Sequence, residues 1–131
     1  HFTTAIESGE LLTTIEFPIS DHHWAFEEVA RRPGDYALVM AAAGLKVNNG
    51  VVESARITLG SVADRPLRAP EAESYLIGKA ISEEIAAEAA KIATQDLKSH
   101  DDIHASANYR RTVVGTLVKR ALMRAATEKS A

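Results

Sequence analysis

The residues of this chain with reactive side chains fall into three groups. In the first, His100 and His104 bracket Asp101 and Asp102. On one helix, that i, i+4 imidazole pair with adjacent carboxylates would suit a divalent cation. No fourth ligand accompanies them, and an Asp-Asp-x-His run ahead of a helix also suits capping; capping is the preferred reading. The second group is His22 and His23, a turn-like pair with no paired nucleophile, around which no Ser-His-Asp constellation assembles. Self-contained hydrolysis therefore has no support. The third is residues 26–37, FEEVARRPGDYA. On residue types alone, Glu27 and Glu28 pair with Arg31 and Arg32 on a solvated surface. Asp35, after Pro33-Gly34, is a turn residue, and Tyr36 begins a strand and packs in the core.

Bulk properties narrow the classes further. The seven glycines are isolated along the chain, so no glycine loop presents several amides to a pyrophosphate, and tight binding of a whole dinucleotide by this chain alone is not expected. There is no cysteine, which excludes disulfides, cysteinyl iron–sulfur ligation and thiol catalysis here, and is compatible with a reducing cytoplasm. A net charge of −3, with both signs interspersed, leaves neither a nucleic-acid footprint nor an anionic-membrane surface. The longest apolar stretch, residues 37–45, is too short for a membrane span, and no basic leader opens the chain. At 131 residues the length fits one domain with a real core. Because the first residue is His1 rather than methionine, the sequence reads as a piece of something longer.

The elements that would position these residues follow from periodicity. Residues 10–18 alternate Thr13, Ile15 and Phe17 against Leu12, Thr14 and Glu16, the pattern of a half-buried opening strand ended by proline. A second strand is predicted from Trp24 to Val29, before residues 31–35 force a turn through Pro33 and Gly34. Residues 36–47 and 51–59 flank Asn48-Asn49-Gly50, a strong hairpin signal because both turn positions tolerate positive φ. The small residues 41–44 suit close approach of a helix or a neighbouring domain. A loop at residues 65–68 leads to a short helix at 71–77, which Gly78 can end. Ser82 is a helix N-cap followed by Glu83 and Glu84, with the helix running to about Leu97 and burying Ile85, Ala89, Ile92 and Ala93. A third helix starts near Ser106, carries Val113, Val114, Leu117, Val118, Ala121, Leu122 and Ala125 on its apolar stripe, and frays from Thr127. Strands followed by helices in consecutive blocks define an α+β domain, a small antiparallel sheet of about three strands packed with a three-helix bundle.

Three stretches carry a family resemblance: FEEVARRPGDYA at 26–37, the hairpin region running from Asp35 through Glu73, and SANYRRTVVGTLVKRAL at 106–122. At this spacing the chain resembles the carbon monoxide dehydrogenase flavoprotein C-terminal domain, part of the medium (FAD) subunit in the molybdenum hydroxylase and xanthine dehydrogenase family. The resemblance implies a three-stranded antiparallel sheet with a helical bundle. It divides the chain into residues 1–18, the tail of the preceding FAD-binding domain, and residues 19–131, the C-terminal domain. It implies that FAD is held mainly by that upstream domain and that this domain forms one wall of the isoalloxazine pocket. Tyr36 matches the position lying against the flavin ring, and Leu12 one whose backbone approaches it. Asp35 can accept a hydrogen bond from the flavin or the backbone. Glu27 and Glu28 depart from the family, many of whose members carry a lysine at one of these positions near the flavin's polar edge. The Tyr109-Arg110-Arg111 signature is assigned to anchoring the preceding loop.

By the same resemblance, the parent is a cytoplasmic oxidoreductase, with an iron–sulfur small subunit bearing two [2Fe–2S] clusters and a molybdopterin large subunit, assembled as a dimer of heterotrimers. Electrons pass from molybdenum through the clusters to FAD, so no catalytic or metal-binding residue is assigned to this chain. The alternative, supported by the missing lysine, is a structural or protein-interaction module that does not contact flavin.

Overall fold

Apolar or small side chains take alternate positions at Val39, Ala41, Ala43 and Leu45 and again at Ala55, Ile57 and Leu59, and a chain patterned in this way buries one face of a sheet and leaves the other outward. The computed structural model of this chain, in which residues 4–127 are described, shows that sheet as an antiparallel meander. Strand β1 (His23–Ala30) pairs with β2 (Ala37–Asn48), β2 with β3 (Val51–Gly60), and β3 with the two-residue β4 (Leu67–Arg68). The β2–β3 hairpin turns at Asn49 and Gly50, with φ of 50° and 81°. Both central residues thus adopt the left-handed conformation that matches the twist of the flanking strands.

Of the three helices among the described residues, the first and third cover the inner face, and the second packs on those two rather than on the sheet. Helix α1 (Pro70–Leu76) starts with Pro70, whose missing amide is one that a first helical turn leaves unbonded anyway. Gly78, beyond its end, takes a φ of 75° and donates its amide to the Val52 carbonyl at 2.8 Å. Helix α2 (Glu83–Thr94) is capped by Ser82, whose hydroxyl accepts from the Ile85 amide at 3.2 Å. Helix α3 (Ala107–Thr127) lies across β1 and β2, with α2 packed against its flank. Its buried residues Val114, Leu117, Val118, Ala121, Leu122 and Ala125 meet Val39, Ala41, Ala43 and Leu45 of β2 in the core. Ala41 and Ala43 let this helix approach closely, while Ala42 and Gly44 alternate onto the outward face, where Trp24 lies over Gly44.

Four expectations need correction. The opening strand at residues 10–18 does not form: among the described residues nothing before His23 is in a strand, and Leu12, Ile15, Phe17 and Ile19 stand exposed. Alternation gives a strand two faces, but its amides also need a ladder partner, and among the described residues this segment pairs with none. The loop expected at 65–68 contains β4, with Thr58 opposite Arg68 and Leu59 opposite Leu67, so the sheet has four strands. Helix α2 ends at Thr94 and turns a different stripe inward, burying Ala86, Ala89 and Ala90 while Ile85, Ile92 and Ala93 are only partly covered. Close packing of α2 against α3 favours alanines at the contact, and the larger isoleucines move to its margins. Helix α3 is described as far as Thr127, and the expectation that the tail frays from there lies outside the described residues.

Candidate functional site

The turn joining β1 to β2 is built from residues that fix its shape locally. Gly34 takes a φ of 79°, a conformation open to glycine at no steric cost. The Asp35 amide then donates to the Arg32 carbonyl at 3.1 Å. The Asp35 carboxylate accepts the amide of Tyr36 at 2.8 Å, a short side-chain to backbone bond of the sort that stabilises turns. Tyr36 is consequently turned outward, with 95% of its surface exposed. The expectation that it packs in the core is overturned, because the strand and its inward alternation begin one residue later, at Ala37.

Beside Tyr36 an open cleft of about 350 Å³ runs from the turn to the loop ahead of α3, lined by Arg31, Asp35, Ser61, His100, Asp102, His104 and Arg110 among others. Its rear is organised by Arg110, in the first turn of α3 and only 4% exposed. One guanidinium nitrogen donates to the carbonyls of Leu38 and of Ser61, the latter at 2.9 Å, and the other donates to Asp102 Oδ2 at 2.6 Å. Ser61 has a φ of 58°, unfavourable for a residue with a side chain. Arg110 thus holds together the start of β2, the strained residue after β3 and the loop before α3. Its Nε is buried without a hydrogen-bond partner. The anchoring role expected of the Tyr109-Arg110-Arg111 signature falls to Arg110.

Asp102 is the second organiser. Its Oδ1 accepts the amides of His104 at 2.8 Å and Ala105 at 2.9 Å. These amide bonds, Ala105 first and then His104, together with the Arg110 guanidinium, hold its carboxyl well below the usual carboxylate range. Asp101 Oδ1 accepts the Ala107 amide at 2.7 Å and Ser106 Oγ accepts that of Tyr109 at 3.2 Å. The two aspartates therefore cap and order the approach to α3. His100 and His104 are not on a helix, and His100 Nε2 stands 3.8 Å from the carboxylate oxygen that Arg110 already engages. Among the described residues no group of three or more His, Cys, Asp or Glu is arranged to hold a metal ion.

Of the predicted site residues, Asp35 and Tyr36 line the cleft; Leu12, Glu27 and Glu28 do not. Leu12, 60% exposed, lies in the segment ahead of β1. Glu27 and Glu28 do not pair with Arg31 and Arg32 as a solvated cluster. Alternation along β1 turns Glu27 toward α3, where its Oε1 meets Arg124 Nη1 at 2.5 Å, and leaves Glu28 outward and exposed. Arg31 instead donates to the His104 carbonyl at 3.3 Å, joining the turn to the far wall of the cleft.

The structure also gathers a group that residue types alone did not bring together. His22 Nε2 is 3.0 Å from Ser54 Oγ, with Asp21 3.6 Å from His22 Nδ1. The ingredients of a triad are present, but Nδ1 is closer to Ser20 Oγ, at 2.8 Å, and Asp21 is committed to Lys46, also at 2.8 Å. With Ser54 in the middle of β3, the group locks the chain onto the outward face of the sheet. Only the strand register places Ser54 near residue 22, so neighbouring residues carry no signal of it.

The fold and the turn together define the class: an α+β domain whose recognisable motif is an exposed aromatic on the β1–β2 turn. The profile of the CO dehydrogenase flavoprotein C-terminal domain matches residues 24–125. The chain belongs to that family. It is 36% identical over 121 residues to the glyceraldehyde dehydrogenase medium chain of Sulfolobus acidocaldarius, covering 92% of this chain and 43% of that one. Among solved structures, quinoline 2-oxidoreductase from Pseudomonas putida 86 superposes with a TM-score of 0.92 at 46% identity, over 96% of this chain and 44% of that one. A Cu,Mo-containing CO dehydrogenase in its cyanide-inactivated form gives a TM-score of 0.82 at 37% identity, over 95% of this chain and 44% of its own. The chain thus spans less than half the length of the relatives it matches.

Proposed function

We propose that this chain is the C-terminal domain of the FAD-binding medium subunit of a molybdenum-containing hydroxylase, and that its β1–β2 turn forms part of the isoalloxazine pocket. The observation that carries the reading is Tyr36: a large aromatic, 95% exposed, on a turn where the Asp35 carboxylate accepts its amide. An aromatic ring presented in this way offers a face on which a flat heterocycle stacks. The cleft and its side chains fit one edge of such a ring rather than a whole dinucleotide, since the positive-φ glycines Gly9, Gly34, Gly50 and Gly78 lie apart and form no phosphate cradle.

In this reading Tyr36 contacts the ring, Asp35 fixes the turn, and the Leu12 backbone approaches from the segment ahead of β1. Of the two acidic residues of β1, Glu28 is the exposed one that reaches toward the polar edge, whereas Glu27 faces α3 with its charge balanced by Arg124. When bound, FAD supplies the redox chemistry, taking electrons from [2Fe–2S] clusters in a small subunit that draws them from molybdopterin in a large one. The assembly is a dimer of heterotrimers in the cytoplasm. Residues 1–18 belong to the tail of the preceding FAD-binding domain, a role that suits the exposure of Leu12, Ile15 and Phe17. The family membership and the molybdenum in a solved relative support this assignment.

The test is Tyr36→Ala in the purified parent complex. The flavin's reduction potential, visible spectrum or reoxidation rate should change while the melting temperature does not. A flavin identical in all three respects would sink the assignment. The outward face of the sheet, with Trp24 and Phe26 half exposed, favours a second reading as an interaction module without flavin contact. A native complex that retains dye reduction but contains no flavin would support that one.

A further inference from the structure

Tyr36 is flanked by two tethers, both leading to the same loop. On its N-terminal side Arg31 donates to the His104 carbonyl at 3.3 Å. On its C-terminal side the carbonyl of Leu38, two residues on, accepts from Arg110. Arg110 is in turn aimed by Asp102 at 2.6 Å, and Asp102 belongs to the loop whose amides at His104 and Ala105 it also binds. Within the turn, the Asp35 carboxylate accepts the Tyr36 amide.

We propose that Asp102 is a positioning residue for Tyr36: through Arg110 it fixes the start of β2, and so the angle at which the Tyr36 ring is presented to the flavin. This rests on the pocket reading above. The geometry distinguishes it from a bond that merely holds the fold together. Arg110 is almost completely buried and makes three bonds to three separate segments, yet one of these bonds ends two residues from Tyr36, an aromatic 95% exposed. A carboxylate 33% exposed at the cleft wall is thereby coupled, through one guanidinium, to a ring on the opposite lip. A guanidinium suits this task because its planar fork sets direction as well as distance.

The experiment compares Asp102→Asn, Tyr36→Ala and the double variant in the whole complex. Two readouts are taken: hydrogen exchange of the peptide covering residues 31–38, and the potential and reoxidation rate of the bound flavin. Asp102→Asn should speed exchange at 31–38 by roughly tenfold, as local opening becomes easier. It should shift the flavin in the same direction as Tyr36→Ala, and the double variant should go no further than Tyr36→Ala alone. Faster exchange confined to residues 99–106, with the flavin altered only by Tyr36→Ala, would overturn the inference and leave the pocket reading standing. A flavin unmoved by Tyr36→Ala would remove both. If Asp102→Asn fails to assemble, Arg31→Gln cuts the other, exposed tether and is judged by the same two readouts.

Discussion

Trp24 lies across Gly44 so closely that a methyl group at Gly44 would meet ring atoms Cε3 and Cζ3 at 2.8 Å. The two residues are direct cross-strand partners in β1 and β2, so the indole covers the backbone of the neighbouring strand on the outward face. Gly44→Ala should push the ring off and disturb its tilted contact with His22, whose centroid is 5.8 Å away. The expected cost is about 1–3 kcal/mol, read from urea unfolding. An unchanged unfolding midpoint would refute the idea that the ring leaves no room for a methyl group at Gly44.

Glu73 supplies a second prediction. It is buried, and its carboxylate receives the Arg68 guanidinium at 2.7 and 2.6 Å and the Ile57 amide at 2.8 Å. The exposed side of Arg68 loses little in water, but the Ile57 amide is buried and donates to Glu73. Glu73→Ala should therefore cost about 1–3 kcal/mol, mainly through that unsatisfied donor, and Arg68→Ala distinctly less. Measurement of both melting temperatures decides it, and the reverse order would place the energy in the ion pair.

Leu117 is 1% exposed in the middle of the α3 face that rests on β2. Truncation to alanine should destabilise the domain by about 2–5 kcal/mol through lost burial and the cavity left behind. An unchanged melting temperature would show that α3 does not hold the sheet.

The fourth prediction concerns acid. Because the folded protein holds the Asp102 carboxyl below its ordinary range, the unfolded chain takes up this proton first as pH falls. The stability owed to this group is complete above the ordinary carboxylate pKa of about 3.9 and is lost progressively below it. Between pH 5 and 8 Asp102 should contribute no slope. Unfolding curves from pH 5 down to 2 should be flatter for Asp102→Asn than for the natural chain. Parallel curves would remove Asp102 from the acid response.

The parts of the fold that were legible in the sequence are those fixed by nearby residues. The hairpin at Asn49-Gly50 was readable because its two φ values are a local requirement, and so was the Ser82 cap, three residues from the amide it serves. The α3 stripe was readable because its burial depends on one helical period. What escaped depends on partners far along the chain. Residues 10–18 alternate like a strand, yet pairing is a property of two segments, and β1 is bonded only to β2. Residue types pair Glu27 with arginines a few positions away, whereas its partner is Arg124 on the last helix. At the candidate site, the motif around Tyr36 was visible as a resemblance, and Asp101 and Asp102 as a cap. That Arg110 joins Leu38, Ser61 and Asp102 was not, because two of those three bonds close loops of 72 and 49 residues.

The same Arg124 that neutralises Glu27 also donates to the Phe26 carbonyl at 3.2 Å. β1 is the outermost strand of the sheet, and an outermost strand is a template on which a stray polypeptide can crystallise into a growing fibre. By engaging one acceptor of that rim and setting a bulky cation over it, the end of the last helix denies the template its regular spacing. A chain interrupted before Arg124 would lose that cover over the Phe26 carbonyl.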